Sequence, residues 1–148
     1  MTSQDILLVQ LSWRKVLPMK ATFAELFYLK LFELDPALRP LFTGDLEQQG
    51  TLLVQMINAS VRALDRLDAL LPVIRELGAR HAVRGVQDPH YGTVASALLW
   101  TLERLLRSDF TPEVKSAWIK TYGVLSQTMR ESNGSARPAN AGFCAASA

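Results

Sequence analysis

Apolar side chains return along this chain at intervals of three and four residues, the spacing of one helix face. From Ser3 to Val16 the stripe is Ile6, Val9, Trp13 and Val16, and Pro18 breaks it. The next helix, Lys20 to Leu34, is apolar nearly all round, which predicts a helix sandwiched between neighbours. A short helix over Pro36–Phe42 and a loop over Thr43–Leu46, with Gly44, come next. A helix from Glu47 to Leu64 aligns Gln49, Leu53, Met56, Ile57 and Ser60 on one face. Pro72 is expected to open or kink a helix that ends near Val83, before Gly85. Two long helices, at about 89–107 and 112–131, close the pattern.

Local signals agree with the periodicity. Asp35-Pro36, Asp88-Pro89 and Thr111-Pro112 each set a good N-cap before a proline at the first helical position, where the missing N–H costs nothing. Up to residue 131 there is no Asn-Gly or Asp-Gly hairpin signal and no sustained alternation of apolar and polar residues. The expectation is one all-α domain over residues 1–131, built of seven to eight helices with short connections. From Ser132 to Ala148, 14 of 17 residues are Ala, Ser, Gly, Asn or Pro, too little apolar surface to repay ordering, so 132–148 is expected to be a flexible C-terminal tail.

Composition narrows the classes. Of 148 residues, 49% are apolar and 20% charged, and the net charge is +2, which excludes a disordered chain. The basic residues are scattered rather than striped, so a nucleic-acid partner is not expected. The apolar Ala21–Leu34 run contains Glu25, Lys30 and Glu33, which argues against a membrane span. Met1–Trp13 has no basic segment ahead of an apolar core, so no signal peptide is expected and the protein is read as cytoplasmic. Cys144 is the only cysteine, which rules out an intrachain disulfide.

The chain lacks a glycine-rich phosphate loop, an HExxH pair, a calcium loop and a GxSxG elbow. His81, His90 and Cys144 are the only soft metal ligands, and Cys144 falls in the tail, so a closed zinc site is not expected. Leu70, Ile74 and Leu77 precede His81 at helical spacing, so His81 projects from an apolar face. It is either a core histidine satisfied by a backbone carbonyl or a ligand to haem iron, which accepts one axial imidazole. A ligand would need its second ring nitrogen to donate to an acceptor, and the Leu77 carbonyl one turn earlier is in reach. His90, in the first turn of the next helix, is a surface histidine or touches the edge of a bound group.

Leu77-Gly-Ala-Arg-His81 through Gly85-Val86 to Tyr91 and Val94 resembles the proximal segment of the globins. Phe23–Leu34, Asp35-Pro36 with Pro40-Leu41-Phe42, and Ala117-Trp118 with Tyr122-Gly123-Val124-Leu125 match the same family in the same order. The resemblance spans about residues 3 to 131 and is closest to bacterial single-domain globins and to the haem domain of flavohaemoglobins. The short connection after Phe42 is similar to that of the Hell's Gate type of methanotroph globin.

The resemblance implies a globin fold around haem b, with His81 as the proximal iron ligand. It places Phe42, Leu53, Arg80, Val86, Tyr91 and Val94 against the haem, Arg80 toward a propionate. Tyr28 and Gln49 would stand on the distal side as hydrogen-bond donors to an O2 ligand that takes on partial negative charge. The implied function is reversible, high-affinity binding of O2, with CO and NO as further ligands. Nitric oxide dioxygenation served by a separate reductase stays open as an enzymatic alternative, as do gas sensing through a partner protein and a haemless helical interaction module. Flavohaemoglobins set a glutamate from the last helix near the proximal histidine. Here that register falls on Asn133, with Glu131 two residues early, which puts peroxide-type chemistry in doubt.

Overall fold

A computed structural model describes residues 1–42, 44–83 and 85–133. Among them are six α-helices: α1 (Ser3–Val16), α2 (Lys20–Leu34), α3 (Leu46–Arg62), α4 (Leu67–Val83), α5 (Asp88–Leu106) and α6 (Pro112–Asn133). Four short 3-10 segments link them, at Leu17–Met19, Pro36–Leu41, Leu64–Arg66 and Arg107–Asp109. The helix count falls below the expected seven to eight because Pro36–Leu41 winds as a 3-10 turn, with Pro40 inside it and Asp35 accepting from the Ala37 N–H. Helix α6 runs through Ser132 and Asn133, into the stretch expected to be tail. Thr43, and the rest of the expected tail with Cys144, lie outside the described residues.

Sequence explains most of the helix ends. At α1, Thr2 and Asp5 close a reciprocal box: the Asp5 N–H donates to Thr2 Oγ1 at 3.1 Å and the Thr2 N–H donates to Asp5 Oδ2 at 2.9 Å. That backbone bond, with Lys120 of α6 at 3.5 Å, holds the Asp5 carboxyl below its usual range. Thr111 caps α6 through its hydroxyl, which accepts from the Val114 N–H at 3.2 Å.

Two expected boundaries shift. Pro72 neither opens α4 nor ends it; the helix begins at Leu67 and carries Pro72 in its second turn, with Leu70 and Ile74 buried on either side. A proline there removes one helical hydrogen bond, and the flanking burial holds the backbone in place. Helix α5 is capped at Gln87 rather than Asp88, because His90 Nδ1 accepts from the Gln87 N–H at 2.9 Å.

Every helix contributes to the core, and an aromatic cluster in it joins α1 to α2 and to α6. The Trp13 ring meets Phe23 edge-on at 5.3 Å and Trp118 at 6.2 Å. Both indoles are satisfied: Trp13 donates to Asn58 Oδ1 at 3.1 Å and Trp118 to Ser12 Oγ at 2.8 Å. The main helix pairs are α4 with α6, α2 with α5, and α1 with α6. Helix α2 is not apolar-buried all round: it packs Phe23, Phe27, Tyr28 and Leu31 inward and leaves Leu29 63% exposed. No described helix is long and apolar enough to cross a membrane.

Two glycines let helices approach closely. A methyl group at Gly50 would lie 2.8 Å from Ala24 Cβ, so α3 sits directly on α2. At Gly78 the crossing is tighter, because an added Cβ would overlap the backbone of Met129 in α6. Backbone has little room to yield, so Gly78→Ala should destabilise the protein by about 1–3 kcal/mol despite the better helix propensity of alanine. Gly123→Ala, where a Cβ meets nothing within 4 Å, should instead stabilise α6 by up to about 1 kcal/mol. Urea unfolding of the two variants beside wild type checks the opposite signs.

The His90 cap makes stability depend on pH. Partial burial lowers the His90 pKa, outweighing the opposite pull of Asp35. The folded protein then binds a proton there less readily than the unfolded chain. Stability from this group is complete above the ordinary histidine value of about 6.5 and is lost as pH falls below it. His90→Gln keeps an acceptor for the Gln87 N–H but has no proton to gain. Urea midpoints measured between pH 7 and pH 5 should fall less steeply for this variant than for wild type.

Candidate functional site

One cavity is walled by α2, α3, α4, α5 and α6, and its surface is almost wholly apolar. His81 lies in that wall, 8% exposed. Its Nδ1 stands 2.9 Å from the Leu77 carbonyl oxygen. A carbonyl oxygen only accepts, so Nδ1 carries the proton and the lone pair of the neutral ring resides on Nε2.

The chain around His81 is shaped by the end of its helix. Gly85, at φ +100°, takes the left-handed conformation that terminates α4. The Val86 N–H returns to the His81 carbonyl at 3.0 Å and the Gly85 N–H to the Ala82 carbonyl at 3.1 Å. That pair of bonds defines a Schellman ending and brings Val86 into the wall that also holds His81. Three further residues on this side, Tyr91, Val94 and Leu98, come from α5. Tyr122 of α6 fixes the first turn of α5 by donating from its hydroxyl to the Tyr91 carbonyl at 2.8 Å. Burial, with a smaller contribution from Tyr91, pushes the Tyr122 hydroxyl pKa far up, so it remains a donor.

The opposite wall belongs to α3. Leu53, Met56 and Ile57 line the cavity and are only half-buried although they belong to the apolar face of the helix. Phe42, 3% exposed, closes the end between α2 and α3.

Six of the residues singled out in the sequence therefore share one cavity: Phe42, Leu53, His81, Val86, Tyr91 and Val94. Tyr28 and Gln49 are buried but do not belong to its wall. The Tyr28 ring meets Phe42 edge-on at 5.4 Å and stacks on Phe32 at 5.9 Å. A Cβ at Gly50, next to Gln49, would lie 3.8 Å from the Tyr28 ring. Arg80 also lies outside the wall; its guanidinium pairs with Glu76 at 3.2 Å on the exposed side of α4. Glu131 is exposed, and the Asn133 side chain lies outside the described residues.

His90, which the sequence left open as a surface histidine or a contact with the edge of a bound group, lines the cavity as well as capping α5. Other wall residues were not singled out as site residues, among them Met129 and Leu125 of α6 and Phe27 and Leu31 of α2. Their only signal in the sequence is membership of apolar stripes, which any helical core would share.

The donor set suits a flat, apolar metal complex. Among the described residues no cluster of three or more His, Cys, Asp or Glu side chains could hold a bare metal ion. A metal held by His81 would need its remaining ligands from an organic group, and apolar walls on both sides favour a macrocycle over a hydrated ion.

Comparison with known proteins gives the same assignment. The globin family profile matches residues 25–129. The chain is 30% identical over 103 residues to a flavohemoprotein of Bacillus subtilis (strain 168), covering 68% of this chain but only 26% of that longer protein. It is 28% identical over 143 residues to neuroglobin of Danio rerio, covering 87% of this chain and 90% of the neuroglobin. A solved structure superposes with a TM-score of 0.81 at 27% identity, covering 91% of this chain and 94% of the other. It is an engineered carbene transferase based on a Rhodothermus marinus protein provisionally described as a nitric oxide dioxygenase. With the described helices placing the His81 imidazole in an apolar cavity and the family profile matching from α2 into α6, the chain belongs to the globin family.

Proposed function

We propose that this protein is a haem globin that binds O2 and other diatomic gases reversibly. The reading is carried by His81, whose Nδ1 is held by the Leu77 carbonyl at 2.9 Å within an apolar wall. Haem b would supply a ferrous iron able to bind a diatomic gas reversibly. His81 would hold the iron through Nε2, and its bond to Leu77 keeps the ring in the tautomer that can do so. Val86, Tyr91 and Val94 would pack against one face of the group, with Leu53 and Phe42 against the other. These apolar walls exclude water, which protects the iron from oxidation.

Tyr28 and Gln49 are the proposed donors to a gas that gains negative charge in the cavity. Both are buried on the adjoining helices α2 and α3, outside the wall, and Tyr28 touches Phe42 of the wall, so the role needs each to turn its polar group toward the cavity. The Arg80 contact with a propionate would require it to leave Glu76, an exposed pair of the kind worth less than about 1 kcal/mol.

Nitric oxide dioxygenation is the second reading, favoured by the likeness over 91% of the chain to the Rhodothermus marinus protein. It needs an electron donor, so a reductase would be the partner. Sustained turnover with a cellular reductase would separate it from storage or transport of O2.

Absorption spectra test the first reading. The purified protein should show a Soret band that shifts on reduction and again on adding CO, and His81→Gly should lose haem or show altered spectra. A colourless wild-type protein would leave only a helical interaction module. For the donors, Tyr28→Phe should release O2 about two- to tenfold faster, the loss expected for one hydrogen bond. Stopped-flow O2 release with an unchanged rate would remove Tyr28 from that role.

A further inference from the structure

A second hollow adjoins the cavity. It is a trough of about 320 Å3 between the outer parts of α3 and α4. Its walls are mainly apolar, with Leu52 and Ala59 on α3 facing Leu70 and Val73 on α4. Four residues, Met56, Ser60, Ile74 and Leu77, line both the trough and the main cavity. The two spaces are therefore divided by one layer of side chains.

We propose that the trough is an entry route for small apolar gases, leading between α3 and α4 to the cavity that holds His81. The inference rests on the gas-binding reading above and adds where the gas passes. Three features support it. Helices α3 and α4 scarcely touch each other directly, since α4 is held mainly by α6 and α3 mainly by α2. Motion of one relative to the other disturbs few contacts. The dividing layer includes Met56, an unbranched side chain with three rotatable bonds that can swing aside without breaking a hydrogen bond. The outer mouth keeps two apolar side chains partly in water, Leu52 at 38% and Val73 at 59% exposure. An apolar mouth admits O2, CO or NO and gives ions and water few partners. Of the trough's three polar side chains, Gln55 and Arg80 are exposed, and Ser60 is buried in the dividing layer.

Neither Leu52 nor Val73 lines the main cavity, so a bulky side chain at either position obstructs the route and leaves the His81 environment intact. In the haem-loaded protein, Leu52→Trp and Val73→Trp should each slow bimolecular CO rebinding after laser photolysis several-fold. The Soret band of the CO form and the CO dissociation rate should stay at wild-type values. Xenon-pressurised crystals of the wild-type protein should show xenon against the apolar side chains of the trough. Val73→Trp crystals should lack it. Wild-type rebinding rates in both variants, or a trough that takes no xenon, would overturn the route while leaving the gas-binding function standing. A wild-type protein with no Soret band would overturn both.

Discussion

The bond between His81 and the Leu77 carbonyl governs the rest of the site. An imidazole in an apolar wall has two nitrogens to satisfy, and a neutral ring must choose which carries the proton. The 2.9 Å contact makes that choice by binding Nδ1 to an atom that can only accept. Because the acceptor is one turn earlier on the same helix, the ring is oriented by α4 itself. Whatever positions α4 therefore positions the imidazole. That task falls to the crossing of α4 and α6, where Gly78, three residues before His81, lies against the Met129 backbone. At its C-terminal end the helix is stopped by Gly85, and the same ending brings Val86 into the cavity wall.

The cavity exists because the remaining helices are tied elsewhere. Helix α3 rests on α2 through the close contact of Gly50 with Ala24, and α4 rests on α6. The two helices on either side of the opening are thus each anchored away from it. Leu53, Met56 and Ile57 occupy the apolar face of α3 and yet remain only half-buried. In a closed helical core those positions would be filled by neighbouring side chains. Here they face a space that a flat apolar group would complete. The trough outside is a continuation of the same separation between α3 and α4.

Much of the fold could be read from the chain because helices advertise themselves locally. The Ile6, Val9, Trp13, Val16 stripe, the cap at Thr111-Pro112 and Gly85 after α4 each rest on interactions within a few residues. Misplaced features were those decided by packing. Pro72 is a helix breaker by local rule, but burial of Leu70 and Ile74 keeps it inside α4. Asp88 is a good cap by residue type, but the ring nitrogen of His90 moves the cap to Gln87. Helix α2 is apolar enough to be enclosed, but packing on α3 and α5 covers only part of it and leaves Leu29 outside.

The candidate site divides along the same line. By itself the sequence determined that His81 terminates an apolar stripe, that Leu77 is one turn away to orient it, and that Gln49 and Leu53 share a helix face. These follow from a fixed helical period. Only the tertiary structure decided that Arg80 lies outside the cavity with Glu76 as its partner, that Tyr28 stands against Phe42 rather than in the wall, and that α3 and α4 remain apart. Periodicity fixes which face of a helix a residue occupies. It carries no information about how far away the next helix lies, because that distance is set by side chains and glycines distant in the chain.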